Sequence, residues 1–117
     1  MSCFWDGLRL KVPALQRFPS SKVREALQGV NVLTESVLYN GRPFPAQQLR
    51  ENWEWVKADS RPWNDGHDTP AADPFLALVC ELFCCNISFN VTGTVHTFVH
   101  PKATTTIRFA ASKGHFS

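Results

Sequence analysis

A chain of 117 residues with twelve basic and ten acidic side chains, a formal net charge of +2, is long enough for one hydrophobic core and short for two. Its Lys and Arg residues are spread out rather than gathered in a block, so nucleic acid is not an expected partner. The longest apolar stretch, Pro74–Phe83, is interrupted by Glu81 and is far shorter than the roughly 20 residues needed to span a bilayer, so no membrane segment is expected.

In chain order, the first predicted element is a short helix beginning at Cys3, with Phe4, Leu8 and, less regularly, Trp5 on one side despite Gly7. Pro13 and Pro19 then break the chain. Ser20 and Ser21 are candidate caps of a second helix through Val23, Ala26 and Leu27, and Gly29 supplies its stop. Residues 32–38 are rich in β-branched side chains and fit a short strand or an extended loop equally well, and Asn40-Gly41 after them favours a tight turn. Pro45, followed by Leu49, Trp53 and Val56 at spacings of four and three, predicts a third helix over residues 46–57.

Residues 58–73 turn polar and are broken by Pro62, Gly66 and Pro70, which predicts a loop that Trp63 pins to the core. Asp73 as N-cap and Pro74 as first residue open the strongest helix, running to Phe83 with Leu76, Val79, Cys80 and Phe83 on one stripe. Residues 87–91 alternate strictly between apolar and polar, and residues 95–99 and 104–109 are also β-rich, so three successive strands are expected to form an antiparallel sheet. The expected fold class is α+β, a single domain over residues 1–117 with a helical amino-terminal half packed on a small carboxy-terminal sheet.

The chemistry-bearing residues come next. Cysteine attacks as its thiolate, which a helix amino terminus favours, and N–H groups at the same terminus can donate to an oxyanion during acyl transfer. Cys3 stands at such a terminus. A general base must come from elsewhere, and Gly114-His115-Phe116 is the best place for it: the glycine lets a substrate backbone approach, and the preceding strand supports the imidazole. Cys80, Cys84 and Cys85 crowd into one apolar run instead of being spread between loops, so free thiols are expected rather than disulfides. Cys84 ranks second as a nucleophile, although both Cys84 and Cys85 are expected to be inertly buried at the end of the helix. The amino terminus does not read as a signal peptide, so the chain is expected in the cytosol, and the tripeptides at Asn86 and Asn90 that match the glycosylation pattern are read as chance.

An amino-terminal Cys3-Phe4 at a helix start, Trp63-Asn64-Asp65 before a helix, a buried strand and a closing Gly114-His115-Phe116 together resemble the ovarian-tumour class of papain-like cysteine proteases. Within that class the chain is similar to the compact endopeptidases in replicase polyproteins of plant positive-strand RNA viruses, of the benyvirus or tymovirus type. The resemblance runs over nearly the whole chain. It implies a compact papain-like fold with Cys3 as nucleophile, His115 as general base, Phe4 and Ser117 as oxyanion or orienting support, and Trp63 and Gly114 in the substrate cleft. It implies no cofactor and no metal. The implied substrate is a glycine-rich peptide within a viral polyprotein, with ubiquitin as a further one, cut by a monomer in the host cytoplasm at replication complexes. Two positions depart from the pattern: Met1 and Ser2 stand where Asp-Gly-x usually precedes the cysteine, and Ser117 stands where relatives often carry Asn or Asp, so a Cys-His dyad is expected.

Other readings stand beside this one. A non-catalytic interaction module with a protease-like fold is the alternative. Zinc binding by His67, His96 and His100 with Cys80, Cys84 and Cys85 is disfavoured because no Cys-x-x-Cys pair is present. His96 and His100, four apart on a predicted strand, would share a face; Asp65 and Asp68 beside His67 are candidates to assist catalysis; and Trp53 of the Trp53-Glu54-Trp55 segment is expected in the core. RNA binding by the sheet is disfavoured by the near-neutral charge.

Overall fold

The computed structural model describes residues 3–64, 67, 69–112 and 115–117, with Cys3 given by its backbone. The first helix, α1 (Cys3–Lys11), buries Phe4, Trp5 and Leu8 and leaves Asp6 and Leu10 outside, the one-sided pattern that drives an amphipathic helix onto a core. Gly7 lies inside it, where glycine weakens a helix by about 1 kcal/mol relative to alanine. Packing explains the choice, because a Cβ there would stand 2.9 Å from the Phe116 ring.

A 3-10 turn (Pro13–Leu15) leads to α2 (Ser20–Gln28), which buries Val23 and Leu27. Its N-cap is Pro19, not Ser20 or Ser21, because the extended backbone of Pro19 (ψ 155°) already sets the entry and places Ser20 inside the first turn. Gly29 ends the helix with right-handed φ of −76°, so its conformation is one that any residue adopts. The Asn-Gly turn forms as expected: β1 (Leu38–Tyr39) and β2 (Arg42–Pro43) pair antiparallel around Asn40 at φ 50° and Gly41 at φ 83°, the two left-handed residues that match hairpin twist. Helix α3 (Ala46–Ala58) buries Asn52 and Val56. Trp53, expected in the core, stays half-buried with the Lys57 ammonium 4.5 Å from its ring, since Asn52 and Val56 take the inward positions.

Asp73 caps α4 (Pro74–Phe83) by accepting the Phe75 N–H at 2.8 Å. Every residue from Pro74 to Cys80 is buried, so α4 is enclosed on all sides rather than along the single expected stripe, and Phe83 is only half-buried. A helix apolar all round belongs in the middle of a core.

The remaining strands are β3 (Asn86–Val91), β4 (Thr94–Val99), β5 (Thr106–Ser112) and β6 (His115–Phe116). The sheet is mixed, in the order β2-β1-β4-β3-β5-β6, which corrects the expected antiparallel trio. β3 and β4 pair antiparallel, but β5 runs parallel to β3 on its other side. The cause is competition for an edge: β1 occupies the far side of β4, so the chain leaving β4 passes round the start of β3. Asn86 secures that crossing, its Oδ1 accepting the His100 N–H at 2.9 Å and its own N–H donating to Thr105 O at 2.9 Å. The amino-terminal half thus contributes two strands to the sheet as well as three helices. Ile87, Phe89, Phe98, Phe109 and Phe116 point from the sheet into the core shared with α1 and α4. Among the described residues no helix is long and apolar enough to cross a membrane.

Candidate functional site

The two ends of the chain meet in one aromatic cluster. Phe4, the second residue of α1, has its ring centroid 4.9 Å from that of Phe116 on β6, and Phe116 stacks on Phe109 of β5 at 4.9 Å. β6 is held to β5 by register, Ala111 opposite Phe116 and Ser112 opposite His115, and beyond it the Ser117 and Ala110 backbones exchange two hydrogen bonds of 2.8 Å. Side chains alternate along a strand, so Phe116 is buried and His115 is exposed. β6 is also the last strand of the sheet, and His115 therefore sits at its edge.

Of the residues singled out from sequence, Cys3 begins α1, where the dipole and unpaired N–H groups favour an anion. Phe4 is buried and its ring belongs to the core; Trp63 is half-buried and packs against the same core. Ser117 is exposed and anchored by its backbone. The Cys3 thiol, Gly114, Asp65 and Asp68 lie outside the described residues.

The residue that sequence reasoning undervalued is His67. Its Nε2 lies 2.8 Å from Asp73 Oδ2 and its Nδ1 3.8 Å from Asp59 Oδ2. The ring stacks on Phe4 at 4.0 Å and meets Trp5, Trp55 and Phe75 edge-on. Asp59, the residue after α3, also faces Arg24 of α2 at 3.4 Å, while Asp73 is the N-cap of α4. One imidazole therefore ties α1, α2, α3 and α4 together. With both ring nitrogens turned to carboxylates, His67 is a structural node. Burial pushes the Asp73 carboxyl above its ordinary value, against the pull of His67 and of the helix N–H groups it accepts. The Asp73 cap was legible in sequence; its second oxygen meeting His67 was not, because the loop between them carries no regular pattern. An open cleft of about 520 Å³ lies beside this node, lined by Trp55, Asp59, Arg61, His67 and Pro70 among others.

The cysteines divide differently from expectation. Cys80 and Cys85 are buried, but Cys84 is exposed, because it ends α4 in the left-handed conformation (φ 51°) and the chain turns its neighbour Cys85 inward instead. The hydrogen bond with the Cys85 thiol, together with burial, pushes the Cys80 thiol up. His96 and His100 do not act as a pair: His96 Nδ1 is 3.0 Å from the Tyr39 hydroxyl, while His100 follows β4 and turns to Cys84. Among the described residues no group of three or more His, Cys, Asp or Glu side chains is placed to hold a metal ion.

Compared with family models, curated proteins and solved structures, the chain matches none of them.

Proposed function

We propose that this chain is a cysteine protease domain of papain-like type, with Cys3 as nucleophile and His115 as general base. The observation that carries the reading is the joint between the helix that starts at Cys3 and the strand that starts at His115, since their sequence neighbours Phe4 and Phe116 touch at 4.9 Å. The engagement of both His67 nitrogens by Asp73 and Asp59 further supports a base from β6 rather than from the loop. The reading requires the His115 side chain to reach round the edge of the sheet to the first turn of α1.

In the reaction, His115 takes the thiol proton and the sulfur attacks the scissile carbonyl carbon, with N–H groups of the first turn of α1 donating to the oxyanion. The C–N bond then breaks as the imidazolium protonates the leaving amine, and a water deprotonated by the same imidazole hydrolyses the thioester. By the resemblance, the substrate is a glycine-rich stretch of a viral polyprotein, with the ubiquitin tail as a second. A glycine-terminated peptide and ubiquitin, each ending in an electrophile, should label the folded chain at Cys3, equally in Cys84→Ser, and should fail on Cys3→Ala. Persistent labelling of Cys3→Ala overturns the assignment. A folded, unlabelled chain that binds the unmodified peptide would favour the non-catalytic binding module, for which Ser117 in place of a carboxylate is the supporting feature.

A further inference from the structure

On the opposite end of α4 from the Asp73 cap, three side chains that the protease reading does not use come together. Cys84 Sγ lies 3.5 Å from His100 Nδ1, and His100 Nε2 lies 3.7 Å from Glu81 Oε2. The order is thiol, imidazole, carboxylate, the arrangement in which a base activates a nucleophile and an acid orients the base.

Several local contacts set this arrangement. The Lys102 N–H donates to His100 Nδ1 at 3.1 Å, so the ring proton resides on Nε2, facing Glu81, and the Nδ1 lone pair is shared between Lys102 and the Cys84 thiol. Glu81 is itself held, its Oε1 accepting the Ser36 N–H at 2.8 Å. The His100 backbone is fixed by Asn86 Oδ1 at 2.9 Å. Imidazole and carboxylate are 10% and 13% exposed, while Cys84 above them is open to solvent. Cys84 also occupies a left-handed position at a helix end where glycine is the usual residue and a side chain is strained. Strain kept at a cysteine that presents its sulfur to a positioned histidine is the kind of outlier that marks a functional position.

We infer that Cys84, His100 and Glu81 form a thiol modification site whose reagent is a small hydroperoxide arriving from solvent. His100 Nδ1 releases the Lys102 N–H and takes the Cys84 proton on the same lone pair. The thiolate attacks one peroxide oxygen, the S–O bond forms as the O–O bond breaks, and the departing oxyanion takes the proton back from the imidazolium. Sulfur is oxidised from thiol to sulfenic acid and hydrogen peroxide is reduced to water, which closes the balance. Glu81 acts as a positioning residue that stabilises the imidazolium. The inference is independent of Cys3 and His115.

The test uses hydrogen peroxide with a sulfenic-acid trap and peptide mapping of each cysteine in the folded chain. Cys84 should be trapped at least about tenfold faster than in His100→Gln, and faster than the same cysteine in the denatured chain, in keeping with loss of a positioned base. Equal rates in wild type and folded His100→Gln overturn the proposal. If that variant does not fold, the wild type decides alone: a Cys84 rate no higher in the native than in the denatured chain overturns it equally. Glu81→Gln keeps an oxygen for the Ser36 N–H and should slow Cys84 oxidation, and the conservative Glu81→Asp should recover part of the rate. An unchanged rate in folded Glu81→Gln, or no recovery in Glu81→Asp, removes Glu81 from the site. Loss of protease labelling at Cys3 leaves these outcomes untouched, so the two readings fail separately.

Discussion

Phe4 near the start of the chain and Phe116 near its end hold their ring centroids 4.9 Å apart, and the closeness is possible because Gly7, one helical turn after Phe4, has no side chain to push Phe116 away. A contact over so long a sequence separation joins β6 to the helices, and the proposed dyad depends on it.

Phe116→Ala should cost about 3 kcal/mol, the lower end for deleting a buried aromatic ring, because β6 is short and at the sheet edge. Urea unfolding followed by fluorescence measures it. Labelling of Cys3 by the peptide probe should fall with it while Cys84 oxidation stays the same, and an unchanged unfolding midpoint would show that this ring does not hold the joint.

Gly7→Ala sets two effects against each other. Removing glycine from a helix interior gains about 1 kcal/mol, whereas forcing a methyl against a buried ring 2.9 Å away costs roughly 1–3 kcal/mol. The expected result is a net loss of up to about 2 kcal/mol in chemical unfolding, from the difference of those two figures. The loss should be relieved in Gly7→Ala/Phe116→Leu relative to Phe116→Leu alone; a more stable Gly7→Ala single variant would mean that Phe116 moves aside freely.

His67→Ala leaves the fully buried Asp73 carboxyl facing a cavity, and breaking a buried pair from one side costs about 3–5 kcal/mol. Adding Asp73→Asn should cost less than it does in the wild type, since the group left without its partner is then neutral. Strict additivity of the two changes in a double-mutant cycle would argue against His67 as the node of the helices.

The same pair predicts a pH dependence. Burial raises the Asp73 carboxyl in the folded chain, so the native state binds its proton more tightly than the unfolded state. The contribution is fully present below the ordinary value of 3.8 and is lost as pH rises from there through the raised folded value. Denaturant titrations of wild type and Asp73→Asn at a series of acidic pH values should therefore converge or cross, with the wild type losing ground as pH rises. Parallel curves, or a wild type that gains ground, would place the opposing pull of His67 and the helix N–H groups ahead of burial.

Much of the local structure was readable from the chain. The Asn40-Gly41 turn, the Asp73-Pro74 start of α4 and the one-sided burial of Phe4 and Leu8 each depend on residues within a few positions of one another. The start of α2 was placed one step too late because proline and serine compete for the same cap, and backbone geometry decides between them. The parallel pairing of β3 with β5 was not readable, since a strand's own sequence carries no mark of which neighbour will claim its edge.

The amino-acid sequence by itself determined where the helices and the hairpin turn lie and that a cysteine stands near one end and a histidine near the other, because periodicity and capping act over one or two turns of chain. Only the tertiary structure decided the strand order, the role of His67 between Asp59 and Asp73, and the seating of Cys84 over His100 and Glu81. Those relationships join residues from different elements, and they exist only after the core has formed and brought distant polar groups within hydrogen-bonding range.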